Sequence, residues 1–116
     1  MREALLQCDG ATVTPVLVAE TARERGRGLL GRDGVDGAML LRPCRSVHTF
    51  GMRFAIDVAF CDRDLVVLRT VTLARNRPGA VVWRAVAVIE AEAGAFDRWG
   101  LTVGQRLTVT SRGSVA

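Results

Sequence analysis

The chain's only histidine, two of its three cysteines and an aspartate set among apolar residues fall in one stretch, Pro43 to Asp62, PCRSVHTFGMRFAIDVAFCD. Imidazole, thiol and carboxyl groups move protons, attack electrophiles and hold metals, so His48, Cys44, Cys61 and Asp57 are the first candidates for chemistry. A hairpin would gather them. With Arg45 to Phe50 and Ala55 to Cys61 as strands around a loop of Gly51, Met52, Arg53 and Phe54, His48 opposes Asp57, Ser46 opposes Ala59 and Cys44 opposes Cys61. Directly opposed side chains have Cβ atoms about 4.5 to 5.5 Å apart. The other face would set Val47 against Val58 and Thr49 against Ile56, giving an apolar side toward the core.

Three uses of such a face are open. A His48–Asp57 pair fixes the imidazole tautomer and can line a binding pocket. A nucleophilic enzyme would use His48 as general base, Cys44, Ser46 or Cys61 as nucleophile and Asp57 to orient the base. The plainest reading is structural, a histidine and a strand aspartate satisfying each other, with Thr49 a turn or strand residue and Met52 and Phe54 filling the core. A metal centre is not expected: residues four apart in a strand lie about 13 Å from each other, and no close cysteine pair occurs. Nor is there a G-x-S-x-G elbow, a phosphate-cradling loop or a dinucleotide fingerprint. Glu90 and Glu92 alternate along a strand-like run, where paired carboxylates can do acid and base work but most simply mark a solvated strand end.

The elements that must position these groups read as mostly strand. Ala11 to Ala19 is β-branched, with Pro15 pointing to an edge or a bulge. Thr21 and Glu24 form a capping-box pattern that opens a short helix through about Leu30, stopped by Gly31, with Gly26 and Gly28 placed for close packing. Further strands are expected at Ala38 to Leu41, Leu65 to Leu73, Val81 to Ala91 and Arg106 to Thr110, with a helical turn at Ala93 to Trp99 closed by Gly100. The sum is an α+β domain spanning 1–116, predominantly antiparallel β, a compact and partly closed barrel-like sheet with two short helices.

Composition narrows the function. Of 116 residues 49% are hydrophobic and 24% charged, which fits a folded globular chain with one core. The net charge is only +4, and Arg23, Arg25, Arg27 and Arg32 are interleaved with Glu20, Glu24 and Asp33 and lack neighbouring aromatics, so no nucleic-acid partner is expected. Gln7, Asp9 and Thr12 interrupt the N-terminal apolar run and no stretch reaches membrane-spanning length, so the expected location is cytoplasmic, with no membrane partner. Three cysteines in that setting are expected to stay reduced.

GRGLLGR at 26–32, GAMLL at 37–41, SVHTFGMRFAIDVAFCD at 46–62, EAEAG and GLTVGQRL together resemble the DUF192 family over nearly the whole chain. The resemblance implies a compact β-rich single domain of bacteria and archaea and supplies no activity; because Glu90 lies in the matching EAEAG segment, it is the third candidate for the pocket after His48 and Asp57. Ala55 and Gln105 depart from the family pattern, where proline and aspartate are usual. The chain therefore reads as a noncatalytic module that binds a small molecule or a protein through His48, Asp57, Glu90, Thr49, Cys44 and Cys61. No cofactor or metal is expected, and the protein should be a monomer or weak homo-oligomer. The alternative is a small hydrolase or thiol-dependent enzyme with His48 as general base.

Overall fold

The computed structural model describes residues 1–111. Strands β1 (Arg2–Cys8) and β2 (Ala11–Ala19) form a hairpin whose two-residue turn, Asp9 and Gly10, takes φ of 52° and 79°, the left-handed backbone that a tight hairpin needs. Helix α1 (Ala22–Arg27) follows, then β3 (Ala38–Leu41), β4 (Ser46–Val47), β5 (Ile56–Cys61), β6 (Val67–Leu73), β7 (Ala80–Val81), β8 (Ala87–Glu92), α2 (Ala95–Trp99) and β9 (Leu107–Ser111). Seven strands make one sheet in the order β6-β5-β8-β3-β2-β1-β9, and β4 with β7 makes a second, two-stranded one. Every pairing is antiparallel except β2 with β3. The fold is thus β-rich with two short helices, as the sequence led us to expect.

The middle strands β5, β8 and β3 are buried on both faces, which is why IDVAFC, AVIEA and AMLL read as near-continuous apolar runs rather than alternating ones. On one face Ala59, Cys61 and Ile89 pack with Leu6, Leu107 and Phe96 of α2. On the other, Val58, Phe60, Val88 and Met39 lie beneath Leu29, Val47 and Met52, which belong to the covering layer built from the end of α1 and the β4–β7 region.

The hairpin expected between 45–50 and 55–61 does not form. Both edges of β5 are taken by longer partners, β6 and β8, and the two residues of β4 pair instead with β7. A strand buried on both faces is better satisfied by two ladders than by one short polar ribbon. Residues 48–52 become a cover turn pinned by Thr49, whose N–H donates to the Arg77 carbonyl at 2.9 Å and whose carbonyl accepts from Met52 and Asn76. Helix α1 has the expected capping box, with Thr21 Oγ1 accepting from the Glu24 N–H and Glu24 accepting from the Thr21 N–H, both at 3.1 Å. It stops at Gly28 rather than beyond Leu30, because Gly28 turns to a φ of 48°, and Gly26 faces open space instead of a close neighbour. Pro15 lies on neither an edge nor a bulge: β2 is internal, and the irregularity in its pairing with β1 falls at Val13. Pairing with β3 begins only at Val16, so the missing Pro15 N–H breaks no ladder there.

Gly79 holds the cover down. It adopts a φ of 80°, and a Cβ at that position would fall 1.7 Å from the Val47 carbonyl oxygen. Gly79→Ala is therefore expected to cost at least about 2 kcal/mol in chemical denaturation, since neither backbone can yield without breaking the β4–β7 pair. A loss below about 0.5 kcal/mol would contradict this packing.

Candidate functional site

Side chains on β8 alternate, so Val88 and Glu90 point toward the covering layer while Ala87, Ile89 and Ala91 point toward α2. Glu90 sits between Met39 of β3 and Val58 of β5 in the paired register, and it is 6% exposed. Above it is a cavity of about 150 Å³ whose wall includes Gly28, Leu41, Cys44, Met52 and His48. Gly28 has no Cβ; one built there would stand 3.9 Å from Glu90 Oε1, so the carboxyl reaches the space under the end of α1. Among the described residues Glu90 accepts no hydrogen bond and joins no ion pair, and burial pushes its pKa up to about 7.

The rest of the pocket surrounds this acid. The Cys44 Sγ–H donates to the Ser46 carbonyl at 3.3 Å, and burial, reinforced by the charge of Glu90, raises its pKa. His48 is exposed at the mouth, with Nδ1 accepting from the Phe50 N–H at 3.2 Å and its ring 5.5 Å from that of Phe50. The neutral ring then carries its proton on Nε2. Arg25 and Arg27, from the last turn of α1, complete the rim.

Asp57 is across the sheet. Its Oδ2 accepts from the Gly94 and Phe96 N–H groups at 2.9 and 3.1 Å and its Oδ1 from Thr72 Oγ1 at 2.7 Å. Gly94, the N-cap of α2, has no side chain to satisfy the helix start, and the Asp57 carboxylate does it from β5. The expected His48–Asp57 pair is therefore absent, because the two groups lie on opposite faces of the main sheet. Cys61 faces the α2 side, pairs with Val67 and Ala87 rather than Cys44, and has its pKa pushed up to about 12 by burial. Thr49 is fully buried, with Oγ1 donating to the Ala74 carbonyl at 2.6 Å and accepting from the Arg77 N–H at 2.8 Å. Of the six residues expected to form a site, Glu90, Cys44 and His48 share a pocket and Asp57, Cys61 and Thr49 do not.

Gly28, Leu41, Met52 and the two arginines were not read as site residues from the sequence. Only Gly28, a glycine inside the expected helix, left a local signal. A larger hollow of about 410 Å³ lies beside Cys8, Trp99 and Leu107, but Gln105 on its wall is satisfied, accepting from the Thr102 N–H and donating to the Gly100 carbonyl, each at 3.0 Å. Size alone favours that hollow; an unpartnered buried acid favours the pocket at Glu90. Among the described residues no three His, Cys, Asp or Glu side chains gather as a metal site, and no helix is long and apolar enough to cross a membrane.

The sequence profile of DUF192, described as "Uncharacterized ACR", matches residues 4–109. A protein of unknown function from Novosphingobium aromaticivorans superposes with a TM-score of 0.73 at 17% identity, over 91% of this chain and 83% of that one. A putative transcription regulator from Sinorhizobium meliloti gives a TM-score of 0.73 at 24% identity, over 93% and 92%. These likenesses concern the fold. No curated protein matches the chain.

Two outcomes test the placement of the acids. Asp57→Ala should cost about 3 kcal/mol, since two buried N–H groups lose their acceptor, while His48→Ala should cost under about 1; the double variant should be additive within about 0.5 kcal/mol, and a larger coupling would mean the pair interacts. Glu90 has a folded pKa above its ordinary 4.5, so the folded state holds the extra proton, and the stability it contributes at acid pH is lost as pH rises from 4.5 through about 7. Relative to Glu90→Gln, the wild-type chain should lose about 3 kcal/mol between those limits. A flat difference would show that Glu90 is solvated or paired.

Proposed function

This chain belongs to the DUF192 family, and we propose that it is a noncatalytic small-ligand-binding module whose pocket is built on Glu90, with Cys44 on its wall and His48 at its mouth. One observation carries the reading: Glu90, a residue only 6% exposed and without a partner among the described residues, opens its carboxyl onto a cavity. Burying a polar group without a hydrogen bond is costly, and a ligand able to donate to Glu90 would offset that cost. The enzyme alternative has less support. Asp57 and Cys61 lie beyond the sheet from His48, the Cys44 thiol donates to Ser46, and His48 Nδ1 is occupied by the Phe50 N–H. Among the described residues His48 hydrogen-bonds to no thiol or hydroxyl that it could activate.

We also read the main sheet as a partly closed barrel. Its ends β6 and β9 are drawn together by an isolated bridge, Val66 with Arg106, and by hydrogen bonds of 2.9 Å from the Val67 N–H to the Gln105 carbonyl and 2.8 Å from the Gly104 N–H to the Val67 carbonyl. Such curvature leaves α2 at one side of the barrel and the Glu90 pocket on its outer face.

Thermal-shift screening against a broad set of small metabolites tests the binding reading, because a ligand that prefers the folded state raises its melting temperature by mass action. At least one compound should raise the midpoint of the wild-type protein and not that of Glu90→Gln, while Asp57→Asn keeps the shift from its own lower baseline. Hits that persist undiminished in Glu90→Gln, or a set without hits, would contradict a pocket organised by this acid.

A further inference from the structure

We infer that the Glu90 pocket takes the ammonium end of a short aliphatic zwitterion, an amino acid, with its carboxylate held at the mouth by Arg25 and Arg27. The inference rests on the binding reading above and names its ligand class. Two acceptors converge where Gly28 lacks a side chain: Glu90 Oε1 and the Arg25 carbonyl oxygen lie 3.9 and 3.7 Å from the position a Cβ would occupy. The Arg25 carbonyl belongs to the last turn of α1, where a helix leaves carbonyl groups without intrahelical donors. A primary ammonium carries three donors and no acceptor, which matches the two oxygens that converge at the floor. The carbonyl end of a helix also favours positive charge, by contrast with its N–H end.

Part of the wall between floor and mouth is apolar, beside Cys44 and Ser46. Leu29, Leu41, Val47 and Met52 suit methylene groups and offer no charged side chain. The cavity of about 150 Å³ is of the size that admits a six-carbon ring, so the buried part of the ligand has about six non-hydrogen atoms. At the mouth the charge reverses. Arg25 and Arg27 line it, neither forms an ion pair among the described residues, and Arg25 is steadied by donating to the Glu20 carbonyl. An acidic floor below a basic rim repels a diamine at one end and a plain carboxylate at the other, whereas a zwitterion satisfies both.

The test compares γ-aminobutyrate, n-butylamine and butyrate by calorimetric titration, with amide shifts of Gly28 and Glu90 in NMR spectra as a second readout. γ-Aminobutyrate should bind the wild-type protein most tightly and n-butylamine several-fold more weakly, with butyrate not binding. Glu90→Gln should weaken both amines at least about tenfold, a change of about 1.4 kcal/mol. Arg25→Ala combined with Arg27→Ala should reduce γ-aminobutyrate to the level of n-butylamine and leave n-butylamine unchanged, which separates loss of the rim from loss of the fold. Butyrate binding as tightly as γ-aminobutyrate, or no binding by either amine, overturns the ligand class. If metabolites of another charge then still depend on Glu90, the binding module stands and only the zwitterion falls.

Discussion

The structure depends on the two-sided burial of its middle strands. Because β5, β8 and β3 have packed side chains above and below, every polar group they carry must find its partner inside the protein. Asp57 and Glu90 are the two buried acids of these strands, and they meet that demand differently. Asp57 receives three hydrogen bonds and in doing so ties α2 to the sheet. Glu90 receives none from the described residues and faces a cavity instead. One acid belongs to the architecture, and the other is left for something the architecture does not supply.

The cavity exists because the cover over Glu90 is held off the sheet at fixed points. Thr49 and Asn76 tie the 48–52 turn to the 74–77 loop, with Asn76 Oδ1 accepting from the Gly51 N–H at 3.0 Å. Gly79 lets β7 approach the backbone of Val47, and Gly28 ends α1 without a side chain above the acid. Small residues at the edges and apolar ones on the walls thus leave a space above the acid. The chemistry of the pocket follows from elements that are far apart in sequence.

Local signals in the sequence were reliable where one turn or one cap decided the outcome. Thr21 with Glu24 opens α1, Gly100 closes α2, and the apolar runs of β2 and β3 stand where they were expected. Strand β1 was not read, because Glu3 and Gln7 blur its pattern, although Asp9-Gly10 is a strong two-residue turn signal just after it. The hairpin of 45–61 failed for a physical reason: loop length and residue count can suggest a register, but they do not weigh distant strands that compete for the same edges. Six consecutive buried positions in IDVAFC were the warning, since such a strand has no polar face to offer. Glu90 stood out through the EAEAG segment that carries the family resemblance, while Gly28, Leu41 and Met52 come to it only through tertiary packing.

The central claim is that Glu90 is a buried acid without a partner in the free protein. Carbon-13 NMR titration of its side-chain carboxyl tests this most directly. An inflection near pH 7, well above the ordinary 4.5, is the expected result. An inflection at or below the ordinary value would mean that water or a protein donor already satisfies the carboxyl, and the pocket would have no vacant acceptor for a ligand to meet.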